Sequence, residues 1–137
     1  MGRSIVAVVV GFVLIAVLAF GTDAVIRATM PGSFAPNGAT TDMGILLASI
    51  AYVGLFAVIG CYVAARLAPR RPMAHALVLG LLGLVFNVAG SIAMWDTAPA
   101  WYHVTQIALV MPWAWLGGWL RERELRRGAG SGAPLAA

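Results

Sequence analysis

The chain has 137 residues, of which 61% are hydrophobic and only 10% are charged, and its mean hydropathy is +0.90. A soluble globular domain carries about 25% charged residues, so the composition excludes a free soluble domain as well as a disordered chain. The single cysteine excludes a disulfide framework and a cysteine-based zinc site.

Four long apolar segments follow one another along the chain. They lie at about residues 4–27, 43–67, 72–95 and 99–121. A helix needs about 20 apolar residues to cross a bilayer, and continuously apolar segments favour helices over the alternating strands of a β-barrel. The sequence therefore predicts an all-α integral membrane protein with one domain, residues 1–127, of four transmembrane helices. Residues 128–137, rich in Gly, Ala, Ser and Pro, are predicted to form a disordered cytoplasmic tail.

The first segment has a competing interpretation as a cleaved signal peptide. Arg3 precedes it, and Ala19-Phe20-Gly21 resembles a cleavage site. Its apolar stretch is longer than the ~7–15 residues of a signal-peptide core, so we predict an uncleaved anchor.

The arginines predict how the chain is oriented in the membrane. All nine basic residues are arginines, and only Arg27 falls on the opposite side of the four segments from the rest. The other eight are Arg3, Arg66, Arg70, Arg71, Arg121, Arg123, Arg126 and Arg127. The positive-inside rule places both termini in the cytoplasm. The basicity therefore needs no nucleic-acid partner, and we expect each arginine to attract anionic lipid headgroups by about 1 kcal/mol.

The connections between the segments predict their arrangement. Residues 28–41 hold turn signals, and Thr41 or Asp42 is placed to cap the second helix. Residues 66–72 and 96–99 are short, and short connections make consecutive spans neighbours. We therefore predict an up-down antiparallel four-helix bundle.

Small residues indicate which helix faces pack closely, because lipid is as apolar as leucine and membrane helices associate through close contact. The third span carries Gly80, Gly83 and Gly90 along one stripe, and the second carries Gly54 and Cys61 among alanines. The sequence predicts that the second and third spans meet along these stripes.

Five polar residues are the candidate site: Asp23, Arg27, Asn87, Asp96 and His103. Asp23 and Arg27 are four residues apart and can pair on one helix face. Asn87 is the most central strongly polar side chain, and it has two interpretations. It makes an interhelical hydrogen bond, or it lines a substrate path.

The remaining chemistry-bearing residues do not form a recognisable site. His75 and His103 fall at opposite ends of the spans, about 25–30 Å apart, so they cannot share a metal or a haem. The sequence holds no Ser/His/Asp order, no zinc-protease motif and no phosphate loop. We therefore predict no catalytic, cofactor-binding or metal-binding residue and no enzymatic activity.

Several short motifs carry a resemblance to a group of known proteins. They are Gly21-Thr22-Asp23, Ala65-Arg66-Leu67-Ala68-Pro69, Arg71-Pro72-Met73, His75-Ala76-Leu77, Trp101-Tyr102 and Ala114-Trp115-Leu116-Gly117-Gly118. With them the chain resembles small bacterial integral membrane proteins of four spans that have no assigned function. The resemblance implies a location in the bacterial inner membrane and supplies no catalytic residue.

Two functions are compatible with these features, and a third is less so. The first is a non-enzymatic accessory or self-associating membrane component, which predicts a co-purifying partner or a homo-oligomer. The second is a small transporter, which predicts a water-accessible cavity reaching Asn87. Small multidrug exporters also have four spans and act as dimers, but they need an acidic residue within the first span, whereas Asp23 lies at its outer end. An enzyme predicts that Asp23, Asp96 and His103 converge within hydrogen-bond reach.

Overall fold

A computed structural model describes residues 2–130 of the protein. In that range the chain forms four α-helices and no strand, which confirms the all-α prediction. The helices are α1 (Gly2–Thr29), α2 (Met43–Leu67), α3 (Pro72–Ala93) and α4 (Ala100–Gly130), with short 3-10 turns at Pro31–Ser33 and Trp95–Thr97. By length and composition, α1, α2 and α3 are able to cross a membrane.

The fourth helix differs from the other three in composition. Gln106, Pro112 and several tryptophans interrupt its apolar residues, and α4 does not reach the hydropathy of a membrane span as the others do. α4 continues to Gly130, so residues 128–130 are helical where the sequence predicts the start of a disordered tail. The rest of that predicted tail, residues 131–137, lies outside the described residues.

The starts of α2 and α3 follow local signals in the sequence. Asp42 caps α2 as predicted, because its Oδ1 accepts hydrogen bonds from the backbone N–H groups of Gly44 at 2.8 Å and Ile45 at 3.2 Å. α3 begins at Pro72, directly after Arg71, whose φ of 51° lies in the left-handed region. A proline suits a first helical position, where its missing N–H has no partner to lose.

α1 and α2 run in opposite directions and approach each other through two glycines. A Cβ on Gly11 would lie 2.7 Å from the Gly60 carbonyl oxygen, and a Cβ on Gly60 would lie 2.8 Å from the Gly11 carbonyl oxygen. Further along α1, Asp23 contacts Tyr52, which precedes Gly60 in α2. Only residues without a side chain allow two helix backbones to lie this close.

α4 packs against both α2 and α3. Gly54 of α2 faces the indole of Trp113, and Gly117 faces the carbonyl oxygen of Val58, so α2 and α4 run in the same direction. α3 and α4 run in opposite directions, because Gly80 faces Ala114 whereas Gly118, later in α4, faces Ala76, earlier in α3. Helix directions therefore alternate along the chain.

These contacts correct the glycine part of the predicted seam between the second and third spans. Gly80 and Gly54 each face α4, and Gly83 has only Val110 of α4 within reach of a Cβ, at 3.7 Å. α2 and α3 instead contribute to a shared core of small residues. Its buried members are Cys61, Ala64, Ala65, Ala76, Leu79 and Ala114. A stripe of small residues shows that a face packs closely, but it carries no information about which helix packs there.

The two ends of the four-helix arrangement differ in their residues. The arginine end comprises the start of α1, the end of α2, the turn at residues 68–71 and the end of α4. The loop end comprises the end of α1, the connection at residues 30–42 and the connection at residues 94–99. The two connections of the loop end contact each other, because the Thr40 N–H donates to the Thr97 carbonyl oxygen at 2.9 Å.

Candidate ligand-binding cavity

The loop end encloses a cavity of about 280 Å³, named here the loop-end cavity. All four helices and both connections contribute to its wall. Its polar and aromatic lining residues are Asp23, Arg27, Phe34, Thr40, Ser49, Tyr52, Asn87, Ser91, Thr97, Tyr102, His103 and Gln106. Its volume is well above the ~10–15 Å³ that admits one water molecule, so it has room for a small solute.

Four of the five candidate residues predicted from the sequence line this cavity. Asp23 and Arg27 come from α1, Asn87 from α3 and His103 from α4. Asp96 lies in the exposed turn Trp95–Thr97 and is not part of the lining. The structure therefore brings together residues that are up to 80 positions apart in the chain.

The Asp23 carboxylate is held by a residue that the sequence analysis missed. Tyr52 of α2 donates its phenolic hydrogen bond to Asp23 Oδ1. Ser49 Oγ lies 3.4 Å from the same hydroxyl, and it donates its own hydrogen bond to the Ile45 carbonyl oxygen at 2.8 Å. No sequence signal identified Tyr52, since a tyrosine within an apolar segment is equally suited to packing.

Arg27 does not form the predicted pair with Asp23. Its Nη1 donates to the Gly38 carbonyl oxygen at 3.3 Å, and its guanidinium lies 4.7 Å from the centre of the Phe34 ring. The connection at residues 30–42 folds back over the end of α1 and supplies both partners. The carboxylate and the guanidinium, one helical turn apart, therefore have separate uncharged partners.

His103 is the most buried candidate, with 5% of its surface exposed. Its ring stacks on Trp95 with the ring centres 5.0 Å apart and the planes at 18°. Within the described part of the chain, neither His103 Nε2 nor Asn87 Oδ1 has a hydrogen-bond partner. A buried polar atom without a partner is costly, and both residues line the cavity, so a turn of either side chain would bring its atom to a molecule inside it.

Asp23, Asp96 and His103 do not converge on one site, because Asp23 and His103 line the cavity and Asp96 stands outside it. Over residues 2–130, no group of three His, Cys, Asp or Glu side chains is placed to hold a metal ion. The cavity offers hydrogen bonds and two opposite charges, which suits binding.

The arginine end carries a second polar cluster, which joins α2 to α4. Glu124 Oε2 accepts a hydrogen bond from Tyr62 at 2.8 Å and another from Arg121 Nη1 at 2.7 Å. Arg66 Nη1 donates to the Tyr62 hydroxyl at 3.0 Å. The hydrogen bond from Tyr62, followed by that from Arg121, lowers the pKa of Glu124 below its ordinary value. This cluster is exposed, and its hydrogen bonds connect the end of α2 to the end of α4.

Comparisons with known proteins identify no relative. No protein-family model matches the chain, and no curated protein and no solved structure matches it. The function is therefore inferred from the loop-end cavity and from the distribution of apolar and charged residues.

Proposed function

We propose that this chain is a four-span protein of the bacterial inner membrane that binds a small polar solute in the loop-end cavity, as a small transporter does. The observation that carries the proposal is the pair of unpartnered polar atoms, Asn87 Oδ1 and His103 Nε2, at a cavity with room for a solute. A cavity that reaches Asn87 is the feature that separates transport from a purely structural role.

The packing of α4 supports a fourth span. α4 lies along both α2 and α3, each of which is apolar enough to cross a membrane. A helix packed along two spanning helices lies at the same depth as they do. Its tryptophans and tyrosine lower its hydropathy, yet these residues are favoured where a span meets the membrane surface.

The distribution of arginine supports the orientation. The start of α1, the end of α2, the turn at residues 68–71 and the end of α4 lie at the arginine end, and together they carry eight of the nine arginines. The positive-inside rule then directs this end to the cytoplasm, where it meets anionic lipid headgroups, and directs the loop-end cavity outward. The resemblance to small bacterial four-span proteins supports the bacterial membrane.

A non-enzymatic accessory or self-associating role is the second candidate, and the outer face of α1 favours it. Val6, Val9, Val13, Val17 and Phe20 form one exposed apolar stripe along α1. In a bilayer such a stripe faces lipid or another protein. A pull-down from native membranes in mild detergent, analysed by mass spectrometry, separates the cases. A stoichiometric partner favours the accessory role, and a clean homo-oligomer favours self-association.

Cysteine accessibility tests both the cavity and the orientation. The native Cys61 is first replaced by alanine, and single cysteines are introduced at Asn37, Asn87, Ala64 and Arg70. Spheroplasts are treated with a charged, membrane-impermeant thiol reagent before or after permeabilisation. Asn37 is exposed in the connection at residues 30–42, whereas Ala64 is fully buried in the core.

We expect Asn37→Cys and Asn87→Cys to react from outside, Arg70→Cys to react only after permeabilisation, and Ala64→Cys not to react at all. If Asn87→Cys did not react from outside while Asn37→Cys did, the proposal that water reaches the cavity would be wrong. Reaction of Arg70→Cys in intact spheroplasts would overturn the orientation.

A further inference from the structure

We infer that the solute of the loop-end cavity is a small zwitterion, a molecule of the α-amino acid class that carries an ammonium and a carboxylate group. This inference rests on the proposed function, since it names the class of solute that the cavity would bind. Its basis is that one carboxylate and one guanidinium line the same cavity without pairing with each other.

The two charged residues of the cavity lie close together on α1. Asp23 and Arg27 stand four residues apart on α1, which places their Cβ atoms about 5–6 Å apart on one face. Two oppositely charged side chains at that spacing ordinarily interact directly. Here the loop at residues 30–42 holds Arg27 from one side, and Tyr52 of α2 holds Asp23 from the other.

The groups that contact Asp23 and Arg27 are themselves uncharged. A tyrosine hydroxyl, a backbone carbonyl and a phenylalanine ring orient Asp23 and Arg27 but leave their charges uncompensated. Asp23 is half-buried and Arg27 is exposed, so an opposite charge on a solute stabilises both, and does so more strongly at Asp23, where water screens the interaction less. The cavity therefore presents one negative and one positive position to a solute.

Only a solute with both charges satisfies both positions. An amine without a carboxylate pairs with Asp23 but is repelled by Arg27, and a carboxylate without an amine has the opposite difficulty. In a zwitterion the ammonium group faces Asp23 and the carboxylate faces Arg27. Asn87 and His103 line the same cavity, and their unpartnered Oδ1 and Nε2 atoms would gain hydrogen bonds if the side chains turned towards the bound molecule.

Binding of matched small molecules to the full chain in nanodiscs tests this inference. The probes are L-alanine and L-serine as zwitterions, ethylamine as the amine alone and propionate as the carboxylate alone. Isothermal titration and thermal unfolding are measured for each. We expect an amino acid to bind at least ten times more tightly than either single-charge probe. We also expect Asp23→Asn and Arg27→Gln each to weaken amino-acid binding at least tenfold.

Matched controls lie outside the cavity at exposed positions. Asp96→Asn and Arg70→Gln remove the same charges and should leave amino-acid binding unchanged. Arg27→Glu controls for misfolding, because a misfolded variant would lose all binding whereas this variant should gain affinity for an amine. With two carboxylates in the cavity, ethylamine should bind more tightly than L-alanine.

The possible failures are distinguishable from one another. Ethylamine or propionate binding as tightly as the amino acids would overturn the zwitterion and leave the proposed function standing. Binding of none of the probes to a protein whose Asn87→Cys variant reacts from outside would also overturn it. Protection of Asn87→Cys in the accessibility experiment would remove the cavity itself, and the proposed function with it.

Discussion

Tyr52 of α2 donates a hydrogen bond to the carboxylate of Asp23 in α1 across the wall of the loop-end cavity. This bond lies at the loop end of the α1–α2 contact, while Gly11 and Gly60 form the close approach nearer the arginine end. It therefore has two consequences: it fastens two helices at the loop end, and it sets the direction of the only carboxylate among the lining residues.

Tyr52→Phe should lower the free energy of unfolding by about 1.5–3 kcal/mol, because it removes a hydrogen bond to a charged group and leaves the carboxylate without its donor. Reversible unfolding in mixed micelles measures this change. The matched control is the same substitution in an Asp23→Ala background, where the partner is already absent and the effect should nearly vanish. Equal costs in both backgrounds would show that Tyr52 acts through packing alone.

This bond also illustrates what the sequence could predict. The cap at Asp42, the bounds of α2 and the start of α3 at Pro72 follow from local chemistry, which neighbouring residues decide. Tyr52 and Asp23 are 29 residues apart, and their contact depends on how α1 is rotated against α2. When a helix is apolar on all its faces, its sequence does not indicate which face packs against the neighbouring helix.

The same reasoning explains why the candidate site was only partly predicted. Asp23, Arg27, Asn87 and His103 are polar residues in apolar surroundings, which makes them visible in the sequence. Their mutual placement is not visible in the sequence, because it depends on how the connection at residues 30–42 packs over α1 and brings Gly38 to Arg27.

Gly117→Ala should destabilise the protein by about 1–3 kcal/mol, the usual cost of overpacking. A Cβ at Gly117 would lie 2.6 Å from the Val58 carbonyl oxygen and 3.0 Å from the Tyr62 nitrogen, and backbone atoms of α2 cannot move aside singly. Gly83→Ala is the matched control, because its nearest neighbour would be a side-chain atom of Val110 at 3.7 Å. Thermal unfolding in detergent should therefore show a clear loss for Gly117→Ala only. Equal midpoints for the two variants would contradict the close α2–α4 contact.

Glu124 should make stability depend on pH at the arginine end. Its pKa is lowered in the folded protein, so its ionised form stabilises the fold. That contribution is complete above the ordinary glutamate pKa of about 4.3 and is lost as the pH falls through the lower folded value. The difference in melting temperature between the wild type and Glu124→Gln should therefore be largest near neutral pH and disappear in acid. Glu122→Gln, which loses only a 3.7 Å pair with Arg126, should show a smaller difference. A difference that grows towards acid pH would contradict the hydrogen bonds assigned to Glu124.

His103→Phe should separate folding from binding. A phenylalanine ring keeps the stacking contact with Trp95 but removes Nε2, an atom that has no partner within the described residues. Phenylalanine is close to histidine in size, so we expect the free energy of unfolding to change by less than about 1.5 kcal/mol, while affinity for the solute falls. Titration of L-serine or L-alanine, beside unfolding of the solute-free protein, measures both. A large loss of stability without a solute would assign His103 a structural role.

Asn87→Leu distinguishes the two interpretations of the central polar residue. If Asn87 made an interhelical hydrogen bond, its loss would lower stability by about 0.5–2 kcal/mol. In the structure Asn87 lines the loop-end cavity, and its Oδ1 is buried without a partner among the described residues, so an apolar replacement removes an unsatisfied polar atom. We therefore expect the solute-free variant to unfold at the same temperature as the wild type or higher, because replacing an unpaired polar group by an apolar one is neutral or stabilising. Solute binding should weaken at the same time. A drop in both stability and binding would show that Asn87 holds the helices together, whereas a drop in binding alone marks it as part of the solute site.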